Sequence, residues 1–187
     1  MTPHVAETQR VIETPRLRLE PQLAAHAQAM FVVLSDPAIY AHENAPPKSL
    51  QALRERYEKL ETRRSGDGRE QWLNWVLRQR GRGDLIGYVQ ASVHGSGEAF
   101  VAYELGSAHW GRGLGSEAAE AMIGELVATY SVHTVLAVFK RSNQRSRRLL
   151  ERLGFAAPGT EDLERWHVDA DEDLMLRRVA TTVAPPP

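Results

Sequence analysis

Trp110-Gly111-Arg112-Gly113-Leu114-Gly115-Ser116-Glu117-Ala118 is the stretch on which the reading of this chain turns. Glycines alternate at 111, 113 and 115, then give way at once to residues that favour a helix. Without a Cβ, such a loop turns sharply and brings its amide N–H groups close to a ligand. A helix that begins there adds unpaired donors and a partial positive charge, the ingredients of an anion site. Arg112 adds a cation to the loop. Short glycine patterns also occur in turns that bind nothing, so the loop points to phosphate without establishing it.

The rest of the chain limits what can surround that loop. Its 187 residues are expected to form one domain over 1–180, with a disordered tail over 181–187 that ends Ala-Pro-Pro-Pro. Apolar residues make up 42% and charged residues 25%, an ordinary globular balance. A formal net charge of −1 gives no global field for nucleic acid or an anionic membrane. No apolar run is long enough to span a bilayer, and the first residues do not follow a signal-peptide pattern. The absence of cysteine excludes disulfides, a thiolate nucleophile and cysteine metal sites, and it accords with a cytoplasmic location. The seven histidines are scattered, with no His-x-x-x-His pair, so no metal site is expected.

Patterning gives an order of elements. Alternation over 16–20 predicts a strand ended by Pro21. An Ala-rich helix over 23–34 follows, broken by Ser35-Asp36-Pro37, and then a helix capped by Ser49 with Leu50, Leu53, Tyr57 and Leu60 inward. Strands are predicted over 72–78, 85–93 and 99–105, separated by glycine turns at 81–84 and 95–97. After the glycine loop come a helix over 116–130, an apolar strand over 134–139 and a helix over 143–153 ended by Gly154. Two last strands are expected near 163–168 and 174–178. The sum is an α+β fold of about seven strands and about four helices.

This order, with a glycine loop between the fourth strand and the third helix, resembles the GNAT family of N-acetyltransferases. In that family a Gln/Arg-x-x-Gly-x-Gly/Ala motif binds the pyrophosphate of acetyl-CoA. Gly113 and Gly115 match its glycines, while Trp110 stands where Gln or Arg is commoner. Trp-Gly-Lys/Arg-Gly followed by Glu-Ala is familiar in the ribosomal-protein (RimJ/RimL-like) branch. The opening Glu13-Thr14-Pro15-Arg16-Leu17-Arg18-Leu19 and the break Leu34-Ser35-Asp36-Pro37 resemble the same branch. So does Asn143-x-x-Ser146-x-x-Leu149-x-Glu151-x-Leu153-Gly154-Phe155, its second cofactor motif. The similarity runs from about 12 to 178.

The resemblance implies a mixed central sheet whose fourth and fifth strands splay, with the pantetheine arm of acetyl-CoA in the gap beside Leu105 and Gly106. Backbone N–H groups there would stabilise charge on the thioester carbonyl. The amides of Gly111 to Ser116 would hold the pyrophosphate, with Arg112 beside it. Glu104 is the candidate base, acting directly or through water; a solvated or salt-bridged strand glutamate is its plain alternative. Asn143 would bond the pantetheine arm and Ser146 would give a proton to the departing thiolate, although capping and local bonding also account for both residues. No tyrosine occupies the matching region of this last helix. The basic run Lys140, Arg141, Arg145, Arg147, Arg148 and Arg152 reads as a solvated face or a contact to the coenzyme, not a nucleic-acid site. The acceptor is expected near Tyr40, His42 and the last strands, where Asp162, Glu164, Asp169, Asp171, Glu172 and Asp173 cluster. Two functions fit: acetyl transfer to a primary amine of a protein N-terminus or small molecule, and a non-catalytic acyl-CoA-binding domain.

Overall fold

The computed structural model describes residues 9–42 and 44–179, so the expected tail lies outside the described residues. Seven strands form one sheet in the order β1-β2-β3-β4-β5-β6-β7. They are β1 (Ile12–Glu13), β2 (Leu17–Pro21), β3 (Glu70–Gln79), β4 (Leu85–His94), β5 (Glu98–Leu105), β6 (Thr134–Lys140) and β7 (Glu172–Arg178). Every neighbouring pair is antiparallel except β5 and β6. Parallel strands need a long crossover, and the helix that follows the glycine loop supplies it.

The helices are α1 (Ala27–Leu34), α2 (Leu50–Leu60), α3 (Leu114–Tyr130), α4 (Gln144–Arg152) and the short α5 (Thr160–Arg165). One core gathers Leu17, Leu73, Trp75, Ile86 and Val101 of the sheet with Leu114, Met122 and Leu126 of α3 and Leu150 of α4. A second core joins Met30 and Leu34 of α1 and Leu53 and Tyr57 of α2 to Val76 of β3. Val76 alternates with Trp75 and Leu77, so the two cores lie on opposite faces of the sheet. Ser49 caps α2 as expected, its Oγ accepting the Ala52 N–H at 3.1 Å.

One expected strand is a helix. Residues 160–165 form α5, with Glu161 and Asp162 in its first turn and Arg165 in its last, which complements the helix dipole. Asp162 also accepts the Gly159 N–H at 2.9 Å, tying down the start of the helix. The seventh strand is instead the two-residue β1, paired with β2 through Ile12↔Leu19 and Glu13↔Arg18. The strand ends at Pro21 as expected, with the proline as its last residue, opposite Trp75.

Candidate active site

The parallel pairing of β5 and β6 lasts for three residue pairs, Glu98↔Thr134, Ala99↔Val135 and Phe100↔Leu136, and then stops. β4 continues to hold β5 as far as Gly87↔Leu105, so the opening lies on the β6 side. Gly87 permits that contact: a Cβ there would sit 2.1 Å from the Glu104 carbonyl oxygen. The splay leaves a cavity of about 820 Å³ between 101–105 and 137–139, closed by the glycine loop and one face of α4.

The glycine loop presents backbone donors to this cavity. Gly111 and Gly113 have φ of +71° and +76°, the left-handed region that favours glycine. Hydrogen bonding in α3 begins with the Glu117 N–H to the Gly113 carbonyl, at 3.1 Å. The N–H groups of Leu114, Gly115 and Ser116 therefore have no carbonyl within the helix, and all three residues line the cavity. A Cβ on Gly115 would lie 3.1 Å from Leu149 Cδ1, so bare backbone also lets α4 pack close.

Thr14 and Arg16, from the opening motif, brace the loop from behind. Glu117 accepts hydrogen bonds from the Thr14 hydroxyl at 2.6 Å, the Arg16 backbone N–H at 2.8 Å and the Arg16 Nε at 2.6 Å. The same guanidinium donates to the Arg112 carbonyl at 2.7 Å. Burial opposes the charge on Glu117, but these donors outweigh it and hold its pKa below the usual carboxylate range. Asp36 plays the same part where the chain leaves β5 for the loop. It accepts the Ala38 N–H at 3.0 Å and the Ser107 N–H at 2.8 Å, fixing the chain just past Gly106; the Ser107 hydroxyl first, and then these N–H groups, lower its pKa.

Trp110 acts as a platform. Its indole N–H donates to the Leu105 carbonyl at 2.8 Å, and the Arg145 guanidinium stacks 3.3 Å from the centre of its ring. Arg145, Arg148 and Arg152 fall at helical spacing and line the cavity together. The rest of the basic run is spent elsewhere. Lys140 pairs with Asp171 and Glu172, each at 3.0 Å, while Arg141 and Arg147 pair with Asp173. With Asp162 held by Arg178 at 2.7 Å, several carboxylates expected to attract an acceptor are already neutralised.

Adjacent residues of β5 serve opposite faces of the sheet. Glu104 stands across from Tyr88, which packs on the α1–α2 core. Tyr103 packs on the core built with α3 and α4. The Tyr103 hydroxyl lies 2.8 Å from Ser146 Oγ. Burial pushes the Tyr103 phenol up to about 12 against the lowering effect of Ser146, so it stays protonated. Glu104 Oε1 accepts the Leu105 N–H at 3.2 Å. The Tyr40 pKa is raised by burial first and by the Glu104 charge second. His109 also lines the cavity, with a buried Nδ1 that has no hydrogen-bond partner; burial, with Arg112 and Arg82, lowers its pKa and favours the neutral ring. Across the mouth, His42 Nδ1 lies 3.0 Å from Ser142 Oγ.

Most of the residues expected at the site therefore converge. Glu104, Leu105, Gly111, Gly113, Gly115, Ser116, Asn143 and Ser146 all line the cavity. Asn143 Oδ1 caps α4 by accepting the Ser146 N–H at 3.0 Å, and its side-chain NH₂ keeps its donors. Two residues are not brought there. Gly106 is buried behind β5 and gives its N–H to the Ile86 carbonyl at 3.0 Å, so that amide is unavailable to a thioester. The Arg112 side chain is exposed and outside the cavity lining, whereas Arg145, stacked on Trp110, lines it. Tyr103 and Gly87 enter without having been expected. Strand alternation was the available signal for the first, and a lone glycine within a strand for the second.

Residues 16–156 match the family model described as an acetyltransferase (GNAT) domain. An uncharacterised N-acetyltransferase, YoaA of Bacillus subtilis, is 24% identical over 154 residues, covering 80% of this chain and 84% of the relative. A solved structure of RimL, a ribosomal L7/L12 α-N-protein acetyltransferase in complex with coenzyme A, superposes with a TM-score of 0.75 at 14% identity, covering 91% of this chain and 98% of that one. The microcin C7 self-immunity acetyltransferase MccE, solved with acetyl-CoA and AMP, gives a TM-score of 0.73 at 14% identity, with 89% and 94% covered. At such identities the two structures establish a shared fold.

Proposed function

The chain belongs to the GNAT acetyltransferase family, and from that premise we propose that it moves an acetyl group from acetyl-CoA to a primary amine by direct attack in a ternary complex. The observation that carries this reading is the splay of β5 from β6 after Phe100↔Leu136, which opens a cavity reached from both faces of the sheet. On one side stand the donors and cations that fit a pyrophosphate: the N–H groups of Leu114, Gly115 and Ser116, with Arg145, Arg148 and Arg152. The left-handed glycines leave open space at Gly111, so the loop fits a phosphate against bare backbone. Bound acetyl-CoA supplies the acetyl group as a thioester.

Glu104 takes a proton from the attacking amine, directly or through a water, and Ser146 donates its O–H in a hydrogen bond to the departing thiolate. The alternation of Tyr103 and Glu104 keeps these two tasks on opposite faces of the gap, so acid and base do not neutralise each other. Asn143 holds the pantetheine arm through its NH₂ group.

The acceptor side combines Tyr40, His42, His109 and Glu104. RimL supports a protein N-terminal α-amine and the RimJ/RimL-like branch; a small-molecule amine is the second acceptor class. We place the protein in the cytoplasm, with residues 1–180 acting as one domain; no helix among the described residues is long and apolar enough to cross a membrane. The test is free-thiol release from acetyl-CoA with a panel of short peptides of varied N-termini and a panel of small amines. Release with one class establishes the transfer and names the acceptor type. Acetyl-CoA binding without release from any amine would favour a binding domain.

A further inference from the structure

We propose that Tyr103 is a positioning residue: its phenol O–H donates to Ser146 Oγ and thereby turns the serine's own O–H toward the sulfur of bound coenzyme A. This rests on the reading that coenzyme A occupies the β5–β6 cavity, and it adds a residue to the departure of the thiolate that the motifs do not mark. The geometry is specific. Ser146 Oγ is 2.8 Å from the Tyr103 hydroxyl, whereas the Ser146 carbonyl is a distant second partner at 3.5 Å. Ser146 sits in the first turn of α4, where no helical carbonyl lies four residues behind it to take its hydroxyl. The Asn143 cap fixes that turn by accepting the Ser146 N–H at 3.0 Å.

A serine has one proton to give. If it were spent on Tyr103, none would remain for the sulfur. A phenol is the stronger acid of the two hydroxyls and the better donor, so the chain runs from Tyr103 to Ser146 to sulfur. Such a chain polarises each member and strengthens the last bond. Burial keeps the phenol protonated, so its donor persists across the neutral range. The charged groups that bear on it are Glu104, its neighbour on β5, and Arg152 of α4. No covalent step is involved: the pair stabilises the thiolate through hydrogen bonds.

The test needs no acceptor. Coenzyme A itself is titrated with pH in complex with the protein, following the far-ultraviolet absorbance of its thiolate, while calorimetry at fixed pH records its binding. Hydrogen bonding to the charged form lowers the thiol pKa, so removing Ser146→Ala raises it by about one unit, the scale of one hydrogen bond to a charged group. Tyr103→Phe, which keeps the ring and its packing, raises it by roughly half as much, since the serine is left unoriented. The double variant matches Ser146→Ala alone, because the tyrosine acts only through the serine. An unchanged thiol pKa in the variants, with coenzyme A still bound, overturns the role of Tyr103 and leaves the acetyltransferase reading standing. So do additive shifts in the double variant. Failure of the native protein to bind coenzyme A overturns both.

Discussion

The two flanks of the cavity are built from different materials. The α3–α4 flank is mostly backbone: two left-handed glycines, three helix N–H groups without helix partners and a capped helix, with arginines at helical spacing. On the α1–α2 flank the lining is made of side chains from distant segments: His42 after α1, Glu104 on β5 and His109 before the glycine loop. The difference follows from the ligands. A phosphate offers the same geometry to every protein that binds it, and backbone amides answer it in a fixed local pattern. Amine acceptors vary in shape, so the flank proposed to meet them is assembled from dispersed side chains and carries no short motif.

The sharpest way to break this comparison is to remove chemistry from one flank and look for effects on the other. Glu104→Gln keeps shape and removes the proposed base, so kcat should fall by about 100-fold or more. Acetyl-CoA affinity, measured by calorimetry, should not move. A parallel loss of affinity would mean that Glu104 supports the cofactor flank instead.

Replacing Arg145 tests the other flank. Arg145→Ala strips the cation from Trp110 and should weaken acetyl-CoA binding about 10- to 30-fold, the scale of one charge-assisted hydrogen bond. Arg112→Ala should change it by no more than about 3-fold, because an exposed charge is largely screened. The reverse ranking in titrations of the two variants would restore Arg112 as the phosphate cation.

Glu117 sharpens the comparison through pH. Its folded pKa lies below the ordinary value of 4.5, so its contribution is full above that value and is lost as pH falls through the folded pKa. In that window the unfolded chain binds more protons, and stability declines with acid. Glu117→Gln should cost about 1 kcal/mol at neutral pH, since Arg16 is half exposed, and should flatten the acid limb of urea melts. An acid limb as steep as in the native protein would remove Glu117 from the brace.

The smallest effect is expected at the mouth. His42→Ala removes the contact to Ser142 and should alter acceptor KM by roughly 2- to 5-fold, the worth of one exposed hydrogen bond. Acetyl-CoA affinity should hold; a larger change there would make the His42–Ser142 contact part of cofactor binding.

Legibility follows the same division. The glycine loop, the Asn143 cap and the Asp36 break could be read because their function is local, set by residues within a few positions. Arg16 could be placed on a strand but not linked to Glu117, since the brace spans about a hundred residues of chain. The Tyr103–Ser146 contact was not legible because its two residues lie on different elements. The strand expected near 163–168 gives way to a helix over 160–165 because Leu163 and Trp166 satisfy a short apolar pattern for either, and the acidic first turn decides it. Arg112 drew attention by sitting inside the motif, yet only the fold shows that its carbonyl, not its guanidinium, is engaged by the brace.

The central claim, that acetyl-CoA lies in the β5–β6 gap with its pyrophosphate on the glycine loop, is tested most directly by amide hydrogen exchange with and without acetyl-CoA. The account predicts that the ligand slows exchange at Gly111 to Ser116, whose N–H groups in the first turn of α3 lack helix partners. Unchanged exchange there at saturating ligand would contradict it. So would protection confined to the separate cavity of about 500 Å³ beside Glu98, His133 and Trp166.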